Sequence, residues 1–272
     1  MGTGISLGIG IPFRRRAGGL SPEAKAWEAR IIANGGTIPA ATLAIFDQYF
    51  FIPAKANGNI LTELDRLNIY CGLNGYEIAA RTNLIKSAHY VTPVSSPTFD
   101  NNGYKSSGTS YLDLNYNPST QGVKLTQNSA IDFIVLKNPT YSGSIRSLGA
   151  TSNASVRRLE IFLRVAGLIQ TLTNAASSTT SNETPSGYAH ILGFRNNSAN
   201  QSTIVNGVVN NTAVVSSLLP NANVFELTSN NAGTPAGDYD TNYHLASGHS
   251  SASIDYAALR TILNNLFTAL GV

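Results

Sequence analysis

Tyr111-Leu112-Asp113-Leu114-Asn115-Tyr116 and Arg158-Leu159-Glu160-Ile161-Phe162-Leu163-Arg164-Val165 alternate between two kinds of side chain with a period of two. Successive side chains of a strand point to opposite faces, so each stretch presents one apolar row and one more polar row. In the first, Leu112, Leu114 and Tyr116 turn toward a core while Tyr111, Asp113 and Asn115 turn outward. In the second, Leu159, Ile161, Leu163 and Val165 oppose Arg158, Glu160, Phe162 and Arg164, a mostly wet row. Working outward, Ala166-Gly167 turns the chain into Leu168–Thr173, and Asn206-Gly207 between Ile204-Val205 and Val208-Val209 is the dipeptide of a type I′ hairpin. Further strands are expected at 130–136, 190–194, 212–216, 224–227 and 242–247. Short turns imply antiparallel pairing, and the strand count predicts a mainly β fold: an antiparallel two-sheet jelly-roll sandwich over residues 93–272. One amphipathic helix over 255–270, with Tyr256, Leu259, Ile262, Leu266 and Leu270 on one side, closes it.

Pro93, Ser95, Ser96 and Pro97 mark a boundary, and before them the apolar spacing is helical. Ser21 and Pro22 open a first helix over 22–33 with Trp27, Ile31 and Ile32 on its apolar side, stopped by Gly35 and Gly36. A second carries Leu43, Phe46, Tyr49 and Phe50 and ends at Pro53. A third over 60–71 turns Ile60, Leu61, Leu64, Leu67 and Cys71 inward, and a short fourth lies near 76–84. Residues 21–92 thus read as a helical docking region. Residues 1–20 read as an extended arm, in which Ile5, Leu7, Ile9 and Ile11 alternate as a strand-forming assembly anchor would.

The 272 residues carry a formal charge of +3, equal to the contribution of Arg14, Arg15 and Arg16. Three adjacent arginines are not the basic stripe with interleaved aromatics that a nucleic-acid binder shows, so no nucleic-acid partner is expected. No apolar run reaches the roughly eighteen residues of a membrane-spanning helix. Cys71, the single cysteine, reads as a buried small hydrophobe.

The chemistry-bearing residues form no catalytic set in the sequence. Retaining glycoside hydrolysis needs two carboxyls about 5–5.5 Å apart. A Glu-x-Asp-x-Glu strand would supply them, but Glu160 is followed by Phe162 and Arg164, and Glu226 by Thr228 and Asn230. Asp238-Tyr239-Asp240-Thr241-Asn242 starts like a calcium loop, yet Tyr243 stands where an EF-hand requires Gly and His249 where it requires Glu. A looser oxygen cage for Ca2+ is left as the alternative at this loop. His89, His190, His244 and His249 lack zinc spacing and are assigned to polar surface or strand positions.

The stretch Ser96-Pro97-Thr98-Phe99, followed by Gly108 to Ser119, resembles the opening strands of concanavalin A-like lectin/glucanase domains in phage structural proteins, common among phages of Bacteroidetes including crAss-like phages. The Val205-Asn206-Gly207-Val208 hairpin is similar to that of laminin-G-like sandwiches. The resemblance implies a non-enzymatic virion protein such as a fibre, spike or capsid-attached component. Its partners would be other virion proteins, its assembly a homo-oligomer with a trimer favoured, and its sandwich would face host surface polysaccharide. On that reading Tyr111, Asp113 and Asn115, with Tyr239 and Tyr243 from a loop, are the candidate glycan-facing residues, and the arm with Arg14, Arg15 and Arg16 is the candidate anchor. A polysaccharide-binding or polysaccharide-degrading protein of the same fold is the alternative.

Overall fold

The computed structural model describes residues 19–58, 60–141, 143–153, 157–164 and 167–272. The candidate anchor residues Ile5, Leu7, Ile9, Ile11, Arg14, Arg15 and Arg16 lie outside these, as do Val165 and Ala166.

Pro22–Ala33 is helical because Ser21 accepts a hydrogen bond from the Ala24 N–H (3.2 Å) and Pro22 occupies the first position, where no N–H is needed. Trp27 and Ile31 are buried, but Ile32 is 62% exposed, off the apolar side expected for it. The second helix does not stop at Pro53. Ala40–Phe46 passes through a π turn at Asp47–Phe51 into Ile52–Ala56. Ile52 N–H reaches back to Asp47 O, five residues earlier, and this wider turn takes the proline without a break. The Trp27 ring packs on Phe46 (centroids 4.7 Å apart) and Phe51 (5.9 Å).

The third expected helix is corrected. Only Ile60–Glu63 is helical; Leu64–Ile69 is a fully buried strand paired antiparallel with Tyr243–Ser250. Leu64, Leu67 and Cys71 suit a helical spacing, while Arg66 and Asn68 gain buried polar partners only on a strand. The tertiary partner overrides the local pattern. The fourth helix is Glu77–Arg81.

Two sheets make the sandwich. The first runs, side by side, Val208–Ala213, Asn200–Val205, Tyr188–Arg195, Ala130–Lys137, Tyr243–Ser250, Gly103–Lys105 and Thr98–Asp100, and Leu64–Ile69 shares the free edge of Tyr243–Ser250 with Gly103–Lys105. The second runs Thr179–Ser181, Ile169–Thr173, Arg157–Leu163, Ile145–Asn153, Phe225–Glu226, Tyr111–Asp113 and Thr92–Val94, with the small hairpin Asn230–Asn231/Thr234–Pro235 joined to Ile145–Asn153. Asn206 and Gly207 hold φ of 49° and 92°, as a type I′ turn requires, and set Val205 opposite Val208. From that register the pairing ends at Asn200 with Ala213, so the strand expected at 212–216 is instead Val208–Ala213.

Ile134 and Leu136 of the first sheet and Leu159, Ile161 and Leu163 of the second are buried in one continuous core. Each such side chain contributes about 1.5–3 kcal/mol by leaving water. The helix Tyr256–Ala269, capped by Asp255, lies on the outer side of the first sheet, with Phe133 against Tyr256 and Tyr188 against Phe267 (centroids 5.4 and 5.3 Å apart). The front helices pack on this same helix, while the outer face of the second sheet is covered in part by the irregular segment that follows Phe225–Glu226, where Ser229 donates to Glu160 (2.8 Å) and Asp238 pairs with Arg146.

Candidate functional site

Polar groups collect in two places, one sealed and one open. Between the sheets, His244 donates from Nδ1 to Glu226 Oε1 (2.8 Å) and from Nε2 to Asp240 Oδ2 (3.0 Å), all three fully buried. Tyr70 and Ser247 donate to Glu226 Oε2 (2.7 and 2.6 Å), and Ser147 donates to Asp240 (2.5 Å). Arg66 reaches Asn68, Ser247 and a ring nitrogen of His249 (2.9, 3.0 and 3.2 Å). Two cations, Arg66 and His244, therefore balance two carboxylates, Glu226 and Asp240. The sequence reading missed this cluster, because it placed 66–70 in a helix over 60–71 and left His244 and His249 at polar surface or strand positions; Arg66 opposite His249 and Asn68 opposite Ser247 show its signal only once the strands are paired.

Burial opposes charge on His244, but the two carboxylates outweigh it and raise its pKa from 6.5 to about 9. Burial likewise opposes charge on Glu226, and the His244 hydrogen bond and charge leave its pKa below the ordinary value. For His190 and His249 burial prevails, lowering His190 to about 4 and His249 well below 6.5, and burial raises Asp132 well above 3.8. The signs then follow. His244 stabilises fully below about pH 6.5 and loses this as pH rises to about 9. His190 and His249 cost stability only as pH falls below 6.5, where the unfolded chain takes up protons they cannot. Asp132 subtracts as pH rises above 3.8, offsetting one of those two histidines on the acid side. Thermal stability is therefore expected to peak near pH 6.5 and to lose on the order of 3 kcal/mol by pH 9. A melting curve unchanged between pH 6.5 and 9 would contradict the charged His244.

The open place is a groove of about 510 Å³ at one side of the second sheet's outer face. Its floor is Phe225, against which the Tyr111 ring lies at 4.6 Å and 32°. Asp113 receives the side-chain amide of Asn223 (3.1 and 3.3 Å), and Asn117 donates to Asn221 Oδ1 (2.9 Å). Asn230 donates to Asn223 O (2.7 Å) and accepts from Gly233 N–H (2.6 Å), which fixes the far wall. That wall is a tight hairpin whose two turn residues, Ala232 and Gly233, hold φ of 51° and 99°. An alanine there costs about 1–2 kcal/mol, strain held at the rim of the groove. Ser152 also lines the groove, and its buried hydroxyl has no partner among the described residues. Planar amides and a carboxylate around an aromatic floor can take the hydroxyls and the apolar face of a neutral sugar ring.

The structure distributes the sequence candidates unevenly. Asp113 lines the groove, and Tyr111 buttresses its floor. Asn115 does not join them: its φ of 47° turns the amide to Tyr90 O (2.6 Å) and Thr92 Oγ1 (2.9 Å). Tyr243 lies on the other sheet, donating to Asp100 with Lys105 over its ring at 4.5 Å, and Tyr239 stands beside Arg146. No group of three or more His, Cys, Asp or Glu among the described residues is placed to hold a metal. The oxygen cage considered for Asp238–Asn242 does not form, because Asp238 pairs with Arg146 and Asp240 is taken by His244 and Ser147. The row Arg158, Glu160, Phe162, Arg164 is drier than expected, with Glu160 and Phe162 each 2% exposed beneath the arginines. Cys71 is buried, and no helix of the described residues is long and apolar enough to cross a membrane. Asn221, Asn223 and Asn230 were not singled out in the sequence, although four asparagines within 221–231 were its visible trace.

No protein-family model matches the chain, and no curated protein matches it. Among solved structures, the chain is similar to the Ruminococcus gnavus IT-sialidase CBM40 bound to α2,3-sialyllactose, at 15% identity and TM-score 0.41 over 54% of this chain and 90% of that one. It is similar to mouse laminin α1 chain domains LG4-5 at 13% identity and TM-score 0.37, over 48% of this chain and 38% of that one. Trypanosoma rangeli sialidase in complex with sialic acid matches at 12% identity and TM-score 0.48, over 69% of this chain and 31% of that one. At these identities and scores the likenesses say nothing of ligand or activity.

Proposed function

We propose that this chain is a non-enzymatic glycan-binding protein that reads sugar hydroxyls in the Asp113–Asn223 groove. The observation that carries the reading is the groove itself: amides of Asn117, Asn221 and Asn223 converge with Asp113 beside Phe225. A binding role is favoured over hydrolysis because Asp113 is the single carboxyl lining it among the described residues, where the common hydrolytic mechanisms use two. The Glu226, Asp240 and His244 set would supply acid and base but is sealed between the sheets, out of reach of a polymer.

The resemblance of 96–119 to phage structural proteins supports placing this module on a virion, as a fibre, spike or capsid-attached component with other virion proteins and copies of itself as partners. The grooves on the second sheet's outer side would then face the host's surface polysaccharide. A glycan microarray probed with the full chain and with Asn223→Leu tests the binding reading. Wild type is expected to bind a defined set of glycans and the variant to lose at least tenfold in affinity, about 1.4 kcal/mol, with its melting temperature little changed. Binding that survives Asn223→Leu at full strength would remove the groove from the account.

A further inference from the structure

We infer that the same outer face carries a second subsite, for a negatively charged residue of a linear polysaccharide whose neutral part lies in the Asp113–Asn223 groove; this rests on the glycan-binding reading. A groove of about 340 Å³ is lined by Arg158, Phe162, Arg164, Gln170, Ser177 and Ser178, among others, and no carboxylate lines it among the described residues. The guanidinium carbons of Arg146, Arg158 and Arg164 stand 5.2, 5.9 and 5.1 Å from the centre of the Phe162 ring. Two of these cations have acidic partners: Arg146 pairs with Asp238 and approaches Glu160 (3.7 Å), and Arg158 pairs with Glu160 (2.6 Å). Arg164 has no carboxylate partner among the described residues. It is held by neutral acceptors, Gln170 Oε1 (2.5 Å) and Ser144 Oγ (2.9 Å), which fix its planar fork beside the groove. Three positive groups against two negative ones, packed on one ring, leave a site for one further anion, and a guanidinium fork suits a carboxylate or sulfate.

The two grooves are joined by the sheet. Asp113, Phe225, Gly149, Glu160 and Leu172 are directly opposed across five neighbouring strands, the first two lining one groove and the last lining the other. Three strand spacings of about 4.8 Å separate Phe225 from Leu172, so the grooves lie about 14 Å apart along one row. Midway, the Glu160 side chain fills the space over Gly149, where a Cβ would meet it at 2.6 Å, and Ser229 donates to Glu160 (2.8 Å), so the stretch between the grooves is closely packed. One extended chain passing over Glu160 and the arginines that cover it engages both grooves, and linking them raises affinity through effective concentration rather than new contacts.

The test measures binding of the full chain to polygalacturonate (carboxylated), dextran sulfate (sulfated) and neutral dextran, alongside the neutral glycans found on the array. An acidic polymer is expected to bind at least tenfold more tightly than dextran, with the carboxylated and sulfated arms separating the two anion chemistries. Arg164→Gln, and independently Ser178→Glu, which places a negative charge on the rim, are expected to abolish that preference while neutral-glycan binding stays within twofold. Equal binding of acidic and neutral polymers by wild type, or an acidic preference untouched by both variants, would overturn the subsite. So would tighter binding of a single-stranded oligothymidylate than of either acidic polysaccharide. If Asn223→Leu still loses neutral-glycan binding, only the second subsite has failed; if neither groove's variants change any binding, the glycan reading falls with it.

Discussion

His244→Ala is expected to destabilise the protein by about 3–5 kcal/mol, because it leaves two carboxylates buried without their shared cation. Glu226 and Asp240 are fully buried, and His244 is the group that bridges them (2.8 and 3.0 Å). Glu226 belongs to one sheet and His244 to the other, so the loss would be felt as weakened docking of the sheets rather than as local fraying. The conservative His244→Gln, able to donate to one carboxylate, is expected to recover part of the loss. Equilibrium urea unfolding checks this, and a change under 1 kcal/mol for His244→Ala would mean that the carboxylates are neutral or hydrated in the folded protein.

Asp65→Ala is expected to cost a similar 3–5 kcal/mol and to act on the binding face as well. The Asp65 carboxylate, fully buried, accepts the backbone N–H groups of Val123, Lys124 and Leu125 (3.0, 2.9 and 2.8 Å), the Tyr116 hydroxyl (3.2 Å) and Lys86 Nζ (3.0 Å). Removing it strands several buried donors, each worth roughly 1–3 kcal/mol when unsatisfied. The segment 117–125 that it ties down carries Asn117, one wall of the groove, so amide exchange across 117–125 should quicken even where the variant stays folded. Unaltered exchange there would show that this segment is held by something other than Asp65.

These two anchors explain which parts of the fold were legible in the sequence. The Asn206-Gly207 hairpin could be read because both turn residues need positive φ and few others accept it. Leu64–Ile69 could not, because Leu61, Leu64 and Leu67 fit a helix as well as Leu67 and Ile69 fit a strand. Only the distant edge at 246–250 decides between them. The outward direction of Asp113 followed from the alternation around it. Its partner Asn223 is 110 residues away in an irregular segment, where no periodicity points to a face. Asn115 shared Asp113's pattern but breaks from the strand at a positive φ, a local turn that alternation alone does not reveal.

The central claim, that sugar is bound on the second sheet's outer face, is tested most directly by amide hydrogen exchange of the full chain with and without a glycan that scores on the array. Protection is predicted at 111–117, 149–152 and 221–233, with the helix Tyr256–Ala269 and the Val208–Ala213 edge unchanged. Protection confined to those two elements, or spread over the first sheet, would contradict it.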